Sequence, residues 1–179
     1  MKCFNVGILG TGSIAQSMAF TLNALKDKGE VVPYAIASRS LKKAENFARE
    51  WHFEKAYSSY EALVSDPAVD LIYIATPHSL HYEHALLCLN HSKNTLVEKS
   101  FTANALQAQE LLSLAADKKV LLAEAIWTRY MPSRKIIADL LASGAIGRFT
   151  TLNATFSVPI HEIPRMHDPS LCGGALLDL

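Results

Sequence analysis

Apolar residues come in short runs separated by longer stretches of helical spacing. Phe4 to Leu9 is apolar and β-branched and stops at Gly10, whereas Ile14 to Leu25 repeats its apolar positions with a helical period. Val31 to Ala37 predicts a second strand, and Leu41 to Trp51 a helix capped by Ser40 or Ser38. Asp70 to Ala75 predicts a third buried strand, followed by Thr76-Pro77 and a helix from about Ser79 to His91. Thr95 to Glu98 predicts a strand and Ala103 to Lys118 a helix, with Leu106, Leu111, Leu112 and Leu114 toward one face. Val120 to Glu124 predicts one more strand.

Strands that alternate with helices and are apolar on both faces predict an α/β domain, a doubly wound parallel sheet of the Rossmann class. We place it at residues 1–123. After Glu124 the pattern changes. Arg129 to Ser143 predicts a long helix, and Phe149 to Val158 a strand with polar and apolar positions alternating, so residues 124–179 read as the start of an α+β second domain. About 30 to 55 residues are too few to bury a core of their own, so we expect a truncated piece of a longer protein.

Composition narrows the function. The chain has 179 residues, half of them hydrophobic, and its 17 basic and 17 acidic residues cancel. Scattered cations without a basic run argue against nucleic acid as a partner. The start lacks a signal-peptide core and no stretch is long and apolar enough for a membrane span, which predicts a cytoplasmic protein with no membrane partner. Cys3, Cys88 and Cys172 are too far apart in sequence for a C-x-x-C motif and predict reduced thiols.

The candidate chemistry begins at Gly10-Thr11-Gly12-Ser13-Ile14-Ala15. In this pattern the first glycine permits a tight turn, the second lets backbone approach a pyrophosphate, and the small third residue lets helix pack on strand. A helix N-terminus adds N–H donors and positive potential. Its position between the first strand and the first helix predicts dinucleotide binding. At the end of the second strand stand Ser38 and Arg39, with Lys43 a turn further on. An acidic residue there would pair with the ribose hydroxyls of NAD, whereas a hydroxyl and a guanidinium suit the 2′-phosphate of NADP. NADP is therefore favoured over NAD.

Four segments in this order resemble the glucose-fructose oxidoreductase, inositol dehydrogenase and rhizopine catabolism (Gfo/Idh/MocA) family. They are Gly10 to Ala15, Ala75-Thr76-Pro77 with His78 and His81, Glu98-Lys99, and Gly173 to Asp178. Ala125 to Tyr130 is similar to its dihydrodiol dehydrogenase and NADP-dependent xylose dehydrogenase branch. The resemblance implies that Lys99 lies by the nicotinamide ribose and the substrate hydroxyl, with Glu98 orienting it. It implies that His78 and His81 border the cofactor and that Trp127 and Arg129 line the nicotinamide and substrate side. Asp178 would support a catalytic His or Tyr four residues later, a position this sequence does not include. Ser100 stands where the family commonly has proline.

The implied activity is hydride transfer between NADP and a carbinol or carbonyl carbon of a sugar or diol, in a parent protein that forms a homo-oligomer. The alternative is a dinucleotide-binding module without turnover, through truncation or as a redox-sensing partner. No Tyr-x-x-x-Lys pair supports a short-chain dehydrogenase, Arg39 opposes a methyltransferase, and no Gly-x-Ser-x-Gly supports a hydrolase. His81, His84, Cys88 and His91 share a helical stripe. They spread over roughly 15 Å of rise, whereas zinc ligands lie within about 2.3 Å of one ion, so no metal is expected.

Overall fold

The alternating runs assemble into one six-stranded parallel sheet in the order β3-β2-β1-β4-β5-β6. Its strands are β1 (Phe4–Leu9), β2 (Val31–Ala37), β3 (Lys55–Tyr57), β4 (Leu71–Ile74), β5 (Asn94–Glu98) and β6 (Leu122–Ala125). The helices are α1 (Ser13–Lys26), α2 (Leu41–Trp51), α3 (Tyr60–Val64), α4 (His81–Asn90), α5 (Ala105–Lys118) and α6 (Pro132–Ala142). This computed structural model describes residues 3–159, 162–174 and 176.

Side chains alternate across each strand, so the sheet builds two cores. Ile72 and Ile74 of β4 join Leu9, Ala35 and Val97 on one face, packed on Leu63 of α3, Ala85 and Leu89 of α4, and Leu111 of α5. Tyr73 points the other way, with Val6, Ile8 and Ile36, against Ala15, Ala19 and Leu22 of α1 and Ala44 and Phe47 of α2. The chain leaves β1 for β2 on one side and later returns to β4 on the other. That reversal splays the connections and opens a crevice at the carboxyl ends of β1 and β4.

Several expectations change. Lys55–Tyr57 and Tyr60–Val64 form elements that the apolar pattern does not announce, because three and five residues are too short to display a period. The α5 leucines do not share a face: Leu111 is buried and Leu114 packs on the core, but Leu106 and Leu112 are exposed. Ala115, four residues after Leu111, completes the buried stripe. β6 extends to Ala125, past the boundary placed at residue 123.

The long helix expected over Arg129 to Ser143 divides into a 3-10 turn (Trp127–Tyr130) and α6, because Pro132 holds Met131 extended (φ −68°, ψ 139°). Phe149 to Val158 forms no strand. Among the described residues no strand pairs with it, and Phe149, Leu152 and Phe156 are exposed. Alternation supplies a strand's two faces but not the neighbour its backbone requires. No helix among the described residues is long and apolar enough to cross a membrane.

Asp66, after α3, fastens the β3 edge. Its Oδ2 accepts from Lys55 Nζ at 2.9 Å and from the Tyr57 hydroxyl at 2.7 Å, and its Oδ1 accepts from the Ala68 amide at 2.9 Å. Burial would raise this carboxyl, but the Tyr57 and Lys55 bonds prevail and hold it at about 2, against an ordinary 3.8. A carboxyl depressed on folding stabilises above its unfolded value and loses that contribution as pH falls through the folded one. Asp66→Asn should cost about 1–3 kcal/mol at neutral pH by denaturant unfolding. The deficit should shrink between pH 3.8 and about 2; a deficit constant with pH would contradict the assignment.

Candidate functional site

All six strands run the same way, so their carboxyl ends deliver side chains to one rim. A cleft of about 910 Å³ opens there. Gly10 to Ile14 line it after β1, Ser38, Arg39, Ser40 and Lys43 after β2, Ala75 to His78 after β4, and Glu98 and Lys99 at β5. Tyr60, Arg165 and Leu171 complete the wall.

The two loop glycines have different reasons to be glycine. Gly10 has φ +104°, and a Cβ there would lie 2.8 Å from the Ala75 carbonyl oxygen. Its amide also donates to the Ala37 carbonyl at 3.0 Å, so the ends of β1, β2 and β4 meet on it. Gly12 caps α1 with ordinary backbone angles, and a Cβ there would meet nothing within 4 Å. What Gly12 leaves is open space above the first turn of α1, whose N–H groups receive no side-chain cap. Ala15 is fully buried, the close packing expected of the third small residue.

On the rim after β2, Ser38 is buried and its hydroxyl accepts from the Ser40 amide at 3.4 Å. Arg39 and Lys43 are exposed at the start of α2, and Ser40, its N-cap, makes no side-chain capping bond. Across from them the Tyr60 ring meets the His84 ring edge-on with centroids 4.7 Å apart, and His84 Nδ1 lies 2.9 Å from the Thr76 hydroxyl. Burial lowers the His84 proton affinity.

At the opposite end, one Glu98 oxygen accepts from the Tyr73 hydroxyl and the other from the Lys99 amide at 3.0 Å. Glu98 thus acts on Lys99 through its backbone. Burial and this carboxylate raise the Tyr73 phenol, which stays protonated and donating. The Lys99–Ser100 peptide is cis. Glu124 of β6 accepts from the Phe101 amide at 2.9 Å and fixes the far side of the same loop.

The cleft does not gather every expected residue. His78 lines it, but His81 is fully buried behind the wall, bonded to the Thr76 and Ser100 carbonyls. Trp127 and Arg129 are exposed beyond β6 and do not line it. Asp178 lies outside the described residues. The stripe of potential metal ligands is engaged elsewhere: His84 on Thr76, His91 on Glu61 at 3.0 Å, and Cys88 buried with its thiol pushed up to about 12. Tyr60, Tyr73, Glu124, Arg165 and Leu171 escaped the sequence reading as site residues, and Ser40 entered it only as a helix cap. Tyr73 was accessible, since period-two alternation turns it away from Ile72 and Ile74; Arg165 and Leu171 arrive only through tertiary folding.

The model of the oxidoreductase family with an NAD-binding Rossmann fold, Gfo/Idh/MocA, matches residues 4–126. The chain belongs to that family. A trans-1,2-dihydrobenzene-1,2-diol dehydrogenase from Xenopus tropicalis is 42% identical over 97% of this chain and 52% of its own length. A D-xylose 1-dehydrogenase (NADP(+)) from Hypocrea jecorina is 40% identical over 97% of this chain and 49% of its own. The chain therefore spans about half the length of the curated relatives it matches. A 3-ketoreductase from Actinomadura kijaniata, solved with NADP and TDP-benzene, superposes with TM-score 0.87 at 32% identity, over 99% of this chain and 54% of its own.

The two glycines separate by stability. Gly10→Ala should cost about 1–3 kcal/mol, because the added carbon meets backbone at a strained φ. Gly12→Ser should stay within about 0.5 kcal/mol of wild type, its side chain entering open space. Equal thermal shifts in the two variants would contradict this division.

Proposed function

We propose that the cleft binds NADP(H) and that the chain is the cofactor-binding part of an oxidoreductase acting on a sugar or diol. The carrying observation is that Gly10 to Ile14, Ser38-Arg39 and Glu98-Lys99, from three different strand ends, line one cleft. The open space over Gly12 and the uncapped first turn of α1 fit a pyrophosphate. Arg39, Lys43 and the Ser40 hydroxyl, gathered at the start of α2, fit the 2′-phosphate of NADP. The NADP-dependent xylose dehydrogenase relative and the NADP-bound ketoreductase support the same choice.

A nicotinamide cofactor supplies the hydride acceptor or donor. The protein's part is to hold Lys99 so that its ammonium stabilises negative charge on the substrate oxygen and exchanges a proton there at Nζ. Glu98 fixes the Lys99 backbone, with Tyr73 fixing Glu98 in turn. Arg165 adds a cation to the same wall. We assign Asp178 to support of the catalytic group, and place Trp127 and Arg129 on the substrate side of the assembled protein. The same reading has the parent protein working in the cytoplasm as a homo-oligomer.

Calorimetry tests the cofactor assignment. NADP should bind more tightly than NAD by about tenfold, or roughly 1.4 kcal/mol. Arg39→Ala should weaken NADP selectively and bring the two together. Equal affinities in the unaltered protein would overturn the role given to Arg39. Absorbance at 340 nm with NADP and a diol and aldose panel separates turnover from binding alone.

A further inference from the structure

The imidazole of His81 lies between two loops of the cleft wall and touches both. The β4–β5 ladder ends at Ile74 and Val97, so Thr76 and Ser100 lie beyond its last rung. His81 bridges them there. Its Nε2 is 2.9 Å from the Thr76 carbonyl oxygen and its Nδ1 is 2.7 Å from the Ser100 carbonyl oxygen. Both partners only accept. A neutral imidazole has one N–H and one lone pair, so it satisfies one of these carbonyls and turns a lone pair toward the other. An imidazolium has two N–H donors and satisfies both.

The surroundings of the ring set its charge balance. It is fully buried, which opposes a cation and prevails to lower its proton affinity below that of an ordinary histidine, while the two carbonyls and the carboxylates of Glu98 on β5 and Glu124 on β6 pull the other way. His78, with ring centroids 5.3 Å apart, and His84, one turn along α4, are further titratable groups beside it. Thr76 belongs to the wall after β4, and Ser100 directly follows Lys99.

We propose that His81 is a positioning residue which, in its protonated and doubly donating form, ties the Thr76 loop to the Ser100 loop and so sets Lys99 against the cofactor-binding wall. Loss of the proton removes one of the two bonds and lets the loops separate. The tie follows from the His81 geometry alone; its effect on affinity rests on the reading of the cleft as an NADP(H) site.

Nitrogen-15 spectra of the histidine rings, followed from pH 5 to 8.5, read the charge directly. Among the seven histidines, one ring should hold two slowly exchanging N–H protons at the acidic end and lose one as pH rises. NADP affinity, measured by calorimetry over the same range, should weaken about tenfold across that transition. In His81→Asn the affinity should be weak throughout and the transition absent; titration of the 2′-phosphate itself is common to both proteins and cancels. A buried ring that is neutral at pH 5 overturns the proposal, and this arm needs no variant to fold. A charged ring with the same pH dependence of affinity in wild type and variant also overturns it. A charged ring with no NADP binding at any pH would preserve the tie and refute the cofactor assignment instead.

Discussion

Gly10 lies so close to the Ala75 carbonyl that no side chain fits between them, and the rest of the site is arranged around that approach. Its amide holds the end of β2 through Ala37 while its α-carbon packs on the end of β4. Three strand ends are thereby brought together beside the crevice created by the reversal of strand order. A wider turn at this point would move α1 away from the sheet, and with it the N–H groups that face the cleft. The buried Ala15 on α1 meets the same requirement from the helix side.

The β5 side is held by polar contacts. Tyr73, Glu98 and the Lys99 amide form one chain of hydrogen bonds, Glu124 and the Phe101 amide a second, and His81 with its two carbonyls a third. Buried polar groups are costly unless satisfied, and satisfied networks in a low dielectric are stiff and directional. Apolar packing would hold such a loop at a given depth without fixing its direction. In the role proposed for Lys99 direction would matter, since a displacement of about 1 Å at a reacting group can cost a factor of about a hundred.

Much of this was legible in the sequence, for reasons specific to particular residues. The glycine loop could be read because it interrupts an apolar run and is followed at once by helical spacing. Ser38-Arg39 could be read because the second strand ends there. The short β3 and α3 could not, being too brief to show a period, and with them went Tyr60. The family resemblance implies that His81 borders the cofactor; in the structure this first residue of α4 turns its ring inward against two carbonyls. Leu106 and Leu112 show that a leucine-rich helix does not declare its buried face by composition; offsets of three and four from Leu111 do. Phe149 to Val158 marks the limit of alternation as a signal, because a strand is a property of a pair.

The two ends of the cleft differ in how much of the chain builds them. The phosphate end draws on residues 10 to 14, 38 to 43 and 60, all joined to the sheet by short connections. The Lys99 end draws on the sheet for its backbone, and among the described residues Arg165 and Leu171 are what the cleft receives from beyond β6. Past β6, Trp127, Tyr130, Ile136, Ile137 and Leu140 are exposed. Binding and turnover therefore place different demands on this fold. In the proposed site the phosphate cradle is complete once two helix starts and a glycine turn are in register, because its ligand would be held by backbone donors and cations already fixed to the sheet. The proposed hydride transfer would also need water excluded from the reacting carbon, and so an apolar wall across from Lys99. The exposed surface after β6 has the chemistry of such a wall, or of the support behind one, and the sheet alone does not turn it toward the cleft.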